Sequence, residues 1–340
     1  NVHPSLLPKY SGGMDSSAIV AHATQLLKKH GKKLTTHFIR YYNDNTLNES
    51  YFANSVADYT GTNHEEVWIS AEDAWEHFES ITILLEEPVH SMAFFTQWIA
   101  WKKIAHQGFK VMLHGASNDE LMLGYEYLSR IEDIRLLNSG QFPNKIQTEN
   151  LLHWMSALRI GKWFSSGLLT PNISNSIRAL FNLPDRRRLI VENDNRLFNK
   201  IFSREFVNNN IQINIKFNQY FMESNVSADN RMKADFEKLR IPFWNSAMDK
   251  SMMSIPIEVR FPFLDYRLVD YIFSLPTEYL YHNGITKYLL RHSLKNMLPK
   301  KVLWRKNKMG FSVPKKQWLN KKNIFIEELF EETKGIETFI

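Results

Sequence analysis

Short apolar runs alternate with stretches of helical periodicity through the first third of the chain. From Asp15 to His30, apolar residues recur three and four positions apart, which predicts a helix that ends at Gly31. Ser70, followed three residues later by Asp73, predicts a capped start for another helix. By the same reasoning strands are predicted at Leu34–Tyr42, Glu65–Ser70 and Phe109–Leu113, and helices at Glu49–Tyr59, Ala71–Leu85 and Met92–Gln107. This alternation predicts an α/β fold built on a parallel sheet.

The pattern changes after residue 125. Residues 126–240 contain helical fragments and the basic run Arg186–Arg188, with no repeats and no low-complexity linker. A basic triplet of this kind is typical of a solvated helix start rather than of a phosphate or RNA contact. We therefore expect a core at 1–125, a helical region at 126–240 and a C-terminal helical part at 241–340, which together form one domain.

The composition is that of an ordinary globular protein. The chain has 340 residues, 44% hydrophobic and 23% charged, which suits one large α/β domain or a core with a helical attachment. No apolar run approaches the ~18 residues of a membrane span, and no signal-peptide pattern opens the chain. We therefore expect a soluble, cytoplasmic protein. Because the first residue is Asn1 rather than Met, we also expect the natural protein to extend upstream.

Charge and cysteine content exclude several kinds of site. The net charge of +6 suits polyanionic ligands such as nucleotides, but it is small for a dedicated nucleic-acid binder. The chain has no cysteine, which excludes disulfides, thiolate metal sites and a cysteine nucleophile within it. Its 12 histidines include no pair three to five residues apart, so no His-x-x-x-His zinc pattern exists.

The segment Ser11-Gly12-Gly13-Met14-Asp15-Ser16-Ser17 lies between an expected first strand and the first predicted helix. Two glycines let the backbone approach an anion, the helix start supplies a positive dipole end, and the serines add hydroxyl donors. The segment lacks the Gly-Lys-Ser/Thr ending of the P-loop and carries Asp15 instead, which suits a Mg²⁺ that bridges to pyrophosphate. The alternative is a glycine turn in which Asp15 and Ser16 cap the helix.

Four other segments are equally distinctive: His114–Tyr125, Glu258–Asp265, Lys287–Arg291 and Arg305–Pro314. Together with the Ser11–Ser17 segment they resemble the PP-loop ATP pyrophosphatases and, more narrowly, the synthetase domain of the asparagine synthetase family. The resemblance covers residues from about 10 to 125 and from about 240 to 318, and it is weak in between.

This resemblance implies a sheet of the PP-loop, or adenine-nucleotide α-hydrolase, type with an appended helical region. It also implies an activity that depends on ATP and Mg²⁺. A small-molecule or peptide carboxylate attacks the α-phosphorus to give an acyl-adenylate and pyrophosphate, and ammonia or an amine then displaces AMP. The family's asparagine synthetases carry an N-terminal glutaminase whose nucleophile is a cysteine. Because this chain has no cysteine, we expect ammonia from a separate domain or partner, free ammonia, or a different amine.

The family pattern also implies roles for single residues. Asp15 and Asp119 would hold Mg²⁺, and Lys287 would contact the ATP phosphates and offset charge at the α-phosphoryl group. The alternatives are that Asp119 caps a helix and that Lys287 is an ordinary surface lysine. The nucleotide would meet Tyr10, Ser11, Gly12, Gly13, Asp15, Ser16, Ser17, Arg40, His114 and Gly115.

One residue departs from the family pattern at a functional position. The family reads Ser-Gly-Glu-Gly-Ser-Asp-Glu where this chain has His114-Gly115-Ala116-Ser117-Asn118-Asp119-Glu120, so Ala116 replaces a glutamate that is thought to act in amination. An alanine cannot abstract a proton. Asp249, Glu87 and His114 are candidate bases, although each is a residue type that more often forms ion pairs or caps.

The remaining family segments have expected structural roles. Arg260 and Asp265 would order the wall of the substrate pocket, and Lys306–Pro314 would close over the nucleotide as a lid that excludes water.

Change at the Ala116 position accompanies a change of acceptor in relatives that form β-lactams or lasso peptides, so a specialised amide-, lactam- or macrolactam-forming enzyme is an alternative function. A silent nucleotide-binding homologue and a tRNA-modifying PP-loop enzyme are further alternatives.

Overall fold

The structure is a computed structural model, and it describes residues 4–6, 13–42, 49–86, 91–129, 131–132, 209, 216, 220, 223–224, 227–305, 313–314 and 318. The chain divides into two compact units. The first comprises Asn1–Met122, Phe236–Leu280 and Lys287–Lys322, and the second comprises Leu123–Asp235, Tyr281–Thr286 and Asn323–Ile340.

A parallel sheet of five strands forms the centre of the first unit. Its strands are β1 (Pro4–Leu6), β2 (Thr35–Tyr41), β3 (Asn63–Ile69), β4 (Val111–Leu113) and β5 (Glu258–Arg260). Their order across the sheet is β3-β2-β1-β4-β5, and every neighbouring pair is parallel. The predicted α/β fold with a parallel sheet is therefore confirmed.

Helices connect and cover these strands. In the first unit they are α1 (Met14–Lys28), α2 (Ser50–Thr60), α3 (Ala71–Glu76), α4 (Phe78–Leu85), α5 (Met92–His106) and α6 (Asn118–Leu121), followed by α8 (Ile241–Met253), α9 (Tyr266–Phe273), α10 (Tyr288–Ser293) and α11 (Lys300–Leu303); α7 (Ala228–Ala234) belongs to the second unit. Across the described ranges, none of the helices has the length and apolar character needed to cross a membrane.

The strand order contains a reversal that defines where a ligand can bind. From β1 the chain moves outward through β2 to β3, and it then returns to the other side of β1 to form β4 and β5. The connections after β1 and β4 therefore diverge at the carboxyl edge of the sheet. In open parallel sheets, the crevice at such a switch point is the usual ligand site.

The predicted elements agree with the observed ones to within a few residues, except for one broken helix and for β5 and the strands of a separate two-stranded sheet, which were not predicted. The helix predicted over Ala71–Leu85 is broken at His77, which has a non-helical backbone and separates α3 from α4. The break lets the ring of Phe78 stack on Phe95 with centroids 5.0 Å apart. The sequence analysis also assigned no strand to Glu258–Arg260, which forms the edge strand β5.

One cluster of the apolar core is built around α5 and includes residues of α8. Helix α5 carries Phe95, Trp98 and Trp101, which are all buried. They pack with Ile69 of β3 and with Met248 of α8 in one continuous cluster. This arrangement explains why α5 is apolar around most of its circumference, since it is covered on both sides.

The second unit has few described elements. Helix α7 is followed by a π-helical turn from Asp235 to Leu239, of which Asp235 alone belongs to this unit, and residues 281–286 form the antiparallel hairpin of β6 (Tyr281–His282) and β7 (Ile285–Thr286). Asp235 is fully buried and accepts hydrogen bonds from the Tyr127 hydroxyl at 2.5 Å and from Arg231 at 3.0 Å. Most of residues 126–240, for which helical fragments are predicted, lie outside the described residues.

The predicted cap at Ser70 forms a complete capping box. The Asp73 backbone N–H donates to Ser70 Oγ at 3.0 Å, and the Ser70 N–H donates to Asp73 Oδ2 at 2.8 Å. Lys103 adds an ion pair to the same carboxylate oxygen at 2.9 Å. Burial acts to raise the pKa of Asp73, but these hydrogen bonds and the Lys103 charge outweigh it and hold the pKa below its ordinary value. The charged cap therefore contributes stability at neutral pH and loses it as the pH falls through that lowered pKa.

Replacing the cap residue tests this interpretation. Ser70→Ala should lower the free energy of unfolding by about 1 kcal/mol, because the N–H of Asp73 loses its acceptor. Urea unfolding followed by circular dichroism measures the change. Ser80→Ala on α4 is the matched control, since this exposed serine bonds to a carbonyl within its own turn; a loss as large as that of Ser70→Ala would contradict the capping role.

Candidate active site

The candidate site lies at the carboxyl edge of the sheet, at the switch point between β1 and β4. Helix α1 follows β1 and brings Asp15 to this edge, and the turn after β4 brings His114 and Gly115. Helix α6 then adds Asp119 within the same unit. Residues far apart in the sequence thus meet because parallel strands end at one edge.

The first turn of α1 has the features of an anion site. Gly13 is the N-cap residue in extended conformation, and among the residues that the structure describes no side chain caps the helix start. The Ser16 hydroxyl bonds back to the Gly13 carbonyl at 3.2 Å. Ser17 is completely buried, and among the described residues its hydroxyl has no hydrogen-bond partner. Uncapped amides, the helix dipole and a buried hydroxyl are together suited to a phosphate group.

Gly115 lies against this helix start. A Cβ atom built at Gly115 would stand 3.1 Å from the Ser16 backbone nitrogen and 3.3 Å from the carbonyl carbon of Asp15. Those distances are shorter than ordinary contacts, and the neighbouring atoms are backbone. Glycine at this position therefore follows from the close approach of the β4 turn to α1.

His114 fixes the turn from the buried side. Its Nδ1 accepts the backbone N–H of Ala116 at 3.1 Å, and its Nε2 lies 2.8 Å from the side-chain amide of Gln97. Because Nδ1 accepts from Ala116, the ring proton sits on Nε2; the Gln97 amide, which stands with its own nitrogen at this contact, must be turned over so that its oxygen accepts. The ring is buried beside Trp101 and Phe261. These contacts make the His114 side chain a support for the turn.

The centre of the site is an ion-pair cluster. The Lys287 ammonium contacts Oδ1 of Asp15 and lies 2.7 Å from Oδ1 of Asp119. The Lys287 side chain is 4% exposed, and each carboxylate is 16% exposed. One lysine therefore bridges two carboxylates that come from helices following different strands.

Both charge and backbone conformation of Lys287 are set by this position. Burial by itself lowers the pKa of the ammonium, but the charges and hydrogen bonds of Asp119 and Asp15 outweigh it and raise the pKa above the ordinary value of 10.5. Lys287 is consequently protonated at neutral pH. Its backbone is left-handed, with φ 54° and ψ 36°, and its N–H donates to the Met122 carbonyl at 3.2 Å. Non-glycine residues in this conformation are strained and concentrate at functional sites.

Asn118 is a further member of the cluster. Its Nδ2 donates to Oδ1 of Asp15 at 2.5 Å, and the whole residue is buried. The side-chain oxygen Oδ1 is also buried and has no hydrogen-bond partner within the described part of the chain. Asp15 thus receives two donors on one oxygen, from Asn118 and from Lys287.

Two arginines border the cluster. Arg291 donates to the carbonyl oxygens of Leu303 and Arg305, at 2.5 and 3.3 Å. Burial lowers the pKa of Arg291, and the charge of Asp15 acts in the opposite direction. Arg240 pairs with the buried Glu120 at 3.3 Å, directly after Asp119.

Two side chains of the cluster, Asp15 and Asp119, are of the kind that binds a small divalent cation such as Mg²⁺. In the ranges that the structure describes, no group of three or more His, Cys, Asp or Glu side chains is arranged to hold a metal ion. Asp15 and Asp119 nevertheless converge on one positive charge, the Lys287 ammonium. Magnesium is commonly held by one or two carboxylates together with phosphate oxygens and waters. Asp15 and Asp119 therefore fit that ion when a nucleotide supplies the other ligands.

Other candidate residues lie apart from the cluster. Arg40 on β2 pairs with Glu66 at 3.5 Å and covers the ring of Trp68. Asp249 is an exposed residue of α8, and within the described residues no hydrogen bond or ion pair joins it to Lys287. Their predicted roles remain predictions. The candidates Tyr10, Ser11, Gly12 and Glu87, and most of the Lys306–Pro314 segment, lie outside the described residues.

The sequence analysis missed several residues of the site. Gln97 was assigned to a buried helix without a role, and Asn118 and Arg291 were quoted within motifs without one. The available signal for Asn118 was its departure from the family pattern, which has serine there. No periodicity or spacing indicated the Gln97 contact, because it depends on how α5 crosses β4.

Comparison with known proteins identifies similar chains. A family model described as "Asparagine synthase" matches residues 10–337. "Asparagine synthetase [glutamine-hydrolyzing] 3" of Bacillus subtilis (strain 168) is 26% identical over 310 residues, which are 87% of this chain and 43% of the relative. "Asparagine synthetase [glutamine-hydrolyzing] 1" of the same strain is 28% identical over 333 residues, 95% of this chain and 49% of the relative. The chain thus spans about half the length of these two relatives.

A shorter match is closer in sequence. "Asparagine synthetase [glutamine-hydrolyzing]" of Gallus gallus is 38% identical over 90 residues, which are 25% of this chain and 16% of that protein.

Removing the central ammonium tests the ion-pair cluster. Lys287→Met keeps the length of the side chain but leaves two carboxylates facing each other, so the free energy of unfolding should fall by up to about 3–5 kcal/mol at pH 7. Denaturant unfolding at pH 7 measures the effect.

The exposed Lys295 supplies the control for this experiment. Lys295→Met should change stability by less than about 0.5 kcal/mol. A Lys287→Met protein as stable as the wild type would show that the cluster is not an electrostatic unit.

Proposed function

The chain belongs to the asparagine synthase family, and from this premise we propose that it is an ATP-dependent ligase that forms a C–N bond with release of AMP and pyrophosphate. The observation that carries the proposal is the Lys287 ammonium held by Asp15 and Asp119 beside the uncapped start of α1. Anion-binding amides, a fixed positive charge and two carboxylates are the groups that phosphoryl chemistry on ATP requires.

The proposed reaction has two steps. An oxygen of the substrate carboxylate attacks the α-phosphorus of ATP, the bond between that phosphorus and its bridging oxygen breaks, and pyrophosphate leaves. Ammonia or an amine then attacks the acyl carbon, AMP leaves, and the nitrogen loses a proton to a base. The product is an amide.

Named residues have distinct tasks in this scheme. The amides at the start of α1, with the Ser17 hydroxyl, would bind the phosphates of ATP. Lys287 would move its ammonium toward the α-phosphoryl group and stabilise the negative charge that develops there. Gly115 would let the adenosine side of the nucleotide approach the backbone of the β4 turn.

A magnesium ion would be held by Asp15 and Asp119 together with phosphate oxygens. When bound, such an ion neutralises phosphate charge and makes pyrophosphate a better leaving group. Without a nucleotide, the Lys287 ammonium takes over the neutralisation of both carboxylates, as its contacts at Asp15 and Asp119 indicate.

A second candidate function differs from the first in the amine that accepts the acyl group. Ala116 stands in the turn at the site where the family pattern has a glutamate, and its methyl group cannot move a proton. Asp249 and Glu87 stay proposals for a base, and the exposure of Asp249 does not favour it. A specialised acceptor, such as a more reactive amine or an internal amine that closes a lactam or macrolactam, is therefore the second candidate.

The absence of cysteine bears on the source of the nitrogen. The relatives are named as glutamine-hydrolysing, and this chain has no cysteine and spans about half their length. We therefore propose that any ammonia reaches this chain from a glutaminase domain or partner, or from solution.

Pyrophosphate exchange tests the proposed activity. The chain, ATP, Mg²⁺ and a panel of carboxylates, including aspartate, should exchange labelled pyrophosphate into ATP, because adenylation is reversible before the amine arrives. Amide products with ammonia or with other amines then identify the acceptor. ATP binding without exchange for any carboxylate would instead support a silent nucleotide-binding homologue, and loss of activity on RNase treatment would support a tRNA substrate.

The role of Asp15 is tested in the same assay. Asp15→Ala should reduce exchange by at least ~10²-fold, since the phosphates lose a charge-neutralising partner. Its melting temperature should stay near that of the wild type, and Asp58→Asn on the exposed face of α2 should leave exchange unchanged. Full exchange by Asp15→Ala would remove this residue from the reaction.

Gly115 offers a test based on shape. Gly115→Ala should weaken ATP binding at least ~10-fold, because its Cβ would press on the first turn of α1 at 3.1 Å from the Ser16 nitrogen. Isothermal titration calorimetry measures the affinity. Gly61→Ala is the control, since Gly61 has φ 74° and open space around it, so it should lose about 1 kcal/mol of stability but bind ATP normally. Equal binding by Gly115→Ala would place the nucleotide elsewhere.

A further inference from the structure

We propose that the side-chain oxygen of Asn118 is a third oxygen ligand, beside Asp15 and Asp119, for the divalent cation that accompanies the nucleotide. This inference rests on the proposed function, because the nucleotide supplies the remaining ligands. It assigns a role to a residue at which this chain departs from the family pattern.

The carboxamide of Asn118 lies inside the cluster and has a fixed orientation. Its Nδ2 donates to Oδ1 of Asp15 at 2.5 Å, the same oxygen that contacts Lys287. Turning the amide over would place two acceptor oxygens against each other. The hydrogen bond to Asp15 therefore determines which atom is Oδ1 and keeps that oxygen beside the carboxylates.

The oxygen itself is an unused acceptor. Asn118 is 0% exposed, and within the described residues Oδ1 has no hydrogen-bond partner. Leaving a buried acceptor unpaired is energetically unfavourable. Buried polar atoms are rarely left in this state, so an unpaired one in a charged cluster indicates that a ligand completes it.

The backbone holds this oxygen in place. Asn118 is the first residue of α6, and its carbonyl accepts the N–H of Met122 at 2.9 Å. The preceding residue, Ser117, is left-handed with φ 73°. The family pattern has glycine at the position of Ser117 and serine at that of Asn118. This chain keeps the left-handed turn without the glycine, and it presents a longer side chain with a carbonyl oxygen.

A neutral oxygen ligand fits the charge of the cluster. Two carboxylates and one ammonium give −2 + 1 = −1 for Asp15, Asp119 and Lys287. A carboxamide adds an oxygen of the kind that Mg²⁺ and Mn²⁺ bind without adding another negative charge near the phosphates. A serine hydroxyl at the same Cα would reach less far, and a hydrophobic side chain would offer no ligand.

The ammonium of Lys287 does not explain the free oxygen. Lys287 already contacts Asp15 and Asp119, and no hydrogen bond joins it to Oδ1 of Asn118 in the described structure. When Lys287 turns toward a phosphate, the two carboxylates lose their positive partner, and Oδ1 stays on the amide that bonds Asp15. A cation is the ligand that all three oxygens can share.

Manganese binding tests the proposal independently of catalysis. Mn²⁺ would be titrated into the chain in the presence of an ATP analogue with a methylene bridge between the α and β phosphorus atoms, and free Mn²⁺ would be measured by electron paramagnetic resonance. Asn118→Leu, which keeps the size of the side chain, should weaken Mn²⁺ affinity at least ~10-fold. Its affinity for the analogue in EDTA should stay unchanged. Asn118→Asp should bind Mn²⁺ more tightly than the wild type.

Asn230→Leu in α7 is the matched control, since Asn230 is exposed, and it should bind Mn²⁺ like the wild type. A second measurement does not depend on whether a variant folds. Wild-type protein made with asparagine ¹³C-labelled at the carboxamide should show a ¹³C hyperfine coupling to bound Mn²⁺. Asn118→Asp, made with the same labelled asparagine, should lack that coupling.

The outcomes separate this proposal from the proposed function. A wild-type chain that binds the analogue and Mn²⁺, together with an Asn118→Leu variant of equal Mn²⁺ affinity, overturns the role of Asn118 and leaves the proposed function intact. Absence of the ¹³C coupling in the wild type also overturns it. A wild-type chain that binds no analogue overturns both.

Discussion

The buried contact of Lys287 with Asp15 and Asp119 is the interaction on which the rest of the site depends. The three residues come from α1, from α6 and from the turn before α10, so the contact joins segments that are 272 positions apart in the chain. A single ammonium cannot stay buried without partners, and two carboxylates cannot lie together without a cation. The carboxylates therefore require the ammonium, and the ammonium requires at least one carboxylate, which Asp119 still supplies when Asp15 is replaced. This mutual requirement orders the start of α1, the β4 turn and the left-handed residue at 287 at the same time.

The sheet topology makes this contact available. Because β1 and β4 are neighbours and their connections leave in opposite directions, the two carboxylates face one crevice. The close approach of Gly115 to Ser16 closes the crevice from one side, and His114, held by Gln97 and by the Ala116 amide, supports the turn from beneath. The apolar core around α5 contributes no reacting group, but it fixes the helix that carries Gln97.

The sequence predicted the helices and strands better than it predicted the contacts within the candidate site. Apolar periodicity predicted α1, α2 and α5 and the strands β2 and β3, because burial on one face or on both leaves a readable pattern. It missed β5, because two of the three residues from Glu258 to Arg260 are charged and the strand lies at the edge of the sheet. It also missed the break at His77, because the break depends on the packing of Phe78 against Phe95. The pairing of Lys287 with Asp15 has no local signal and was not predicted, since the family resemblance implied only that both residues belong to one nucleotide site. The role of Asn118 could not be read from the chain, because it depends on an oxygen that folding leaves without a partner.

The raised pKa of Lys287 has a chemical consequence beyond binding. In an enzyme that forms an acyl-adenylate, the activated acyl group is an acylating agent, and an unprotonated lysine beside it would be a competing nucleophile. Asp119 and Asp15 keep the nitrogen of Lys287 in its ammonium form, in which it has no lone pair to donate. In the chain without a nucleotide, the same two carboxylates thus both place the positive charge and keep this nitrogen from reacting as a nucleophile.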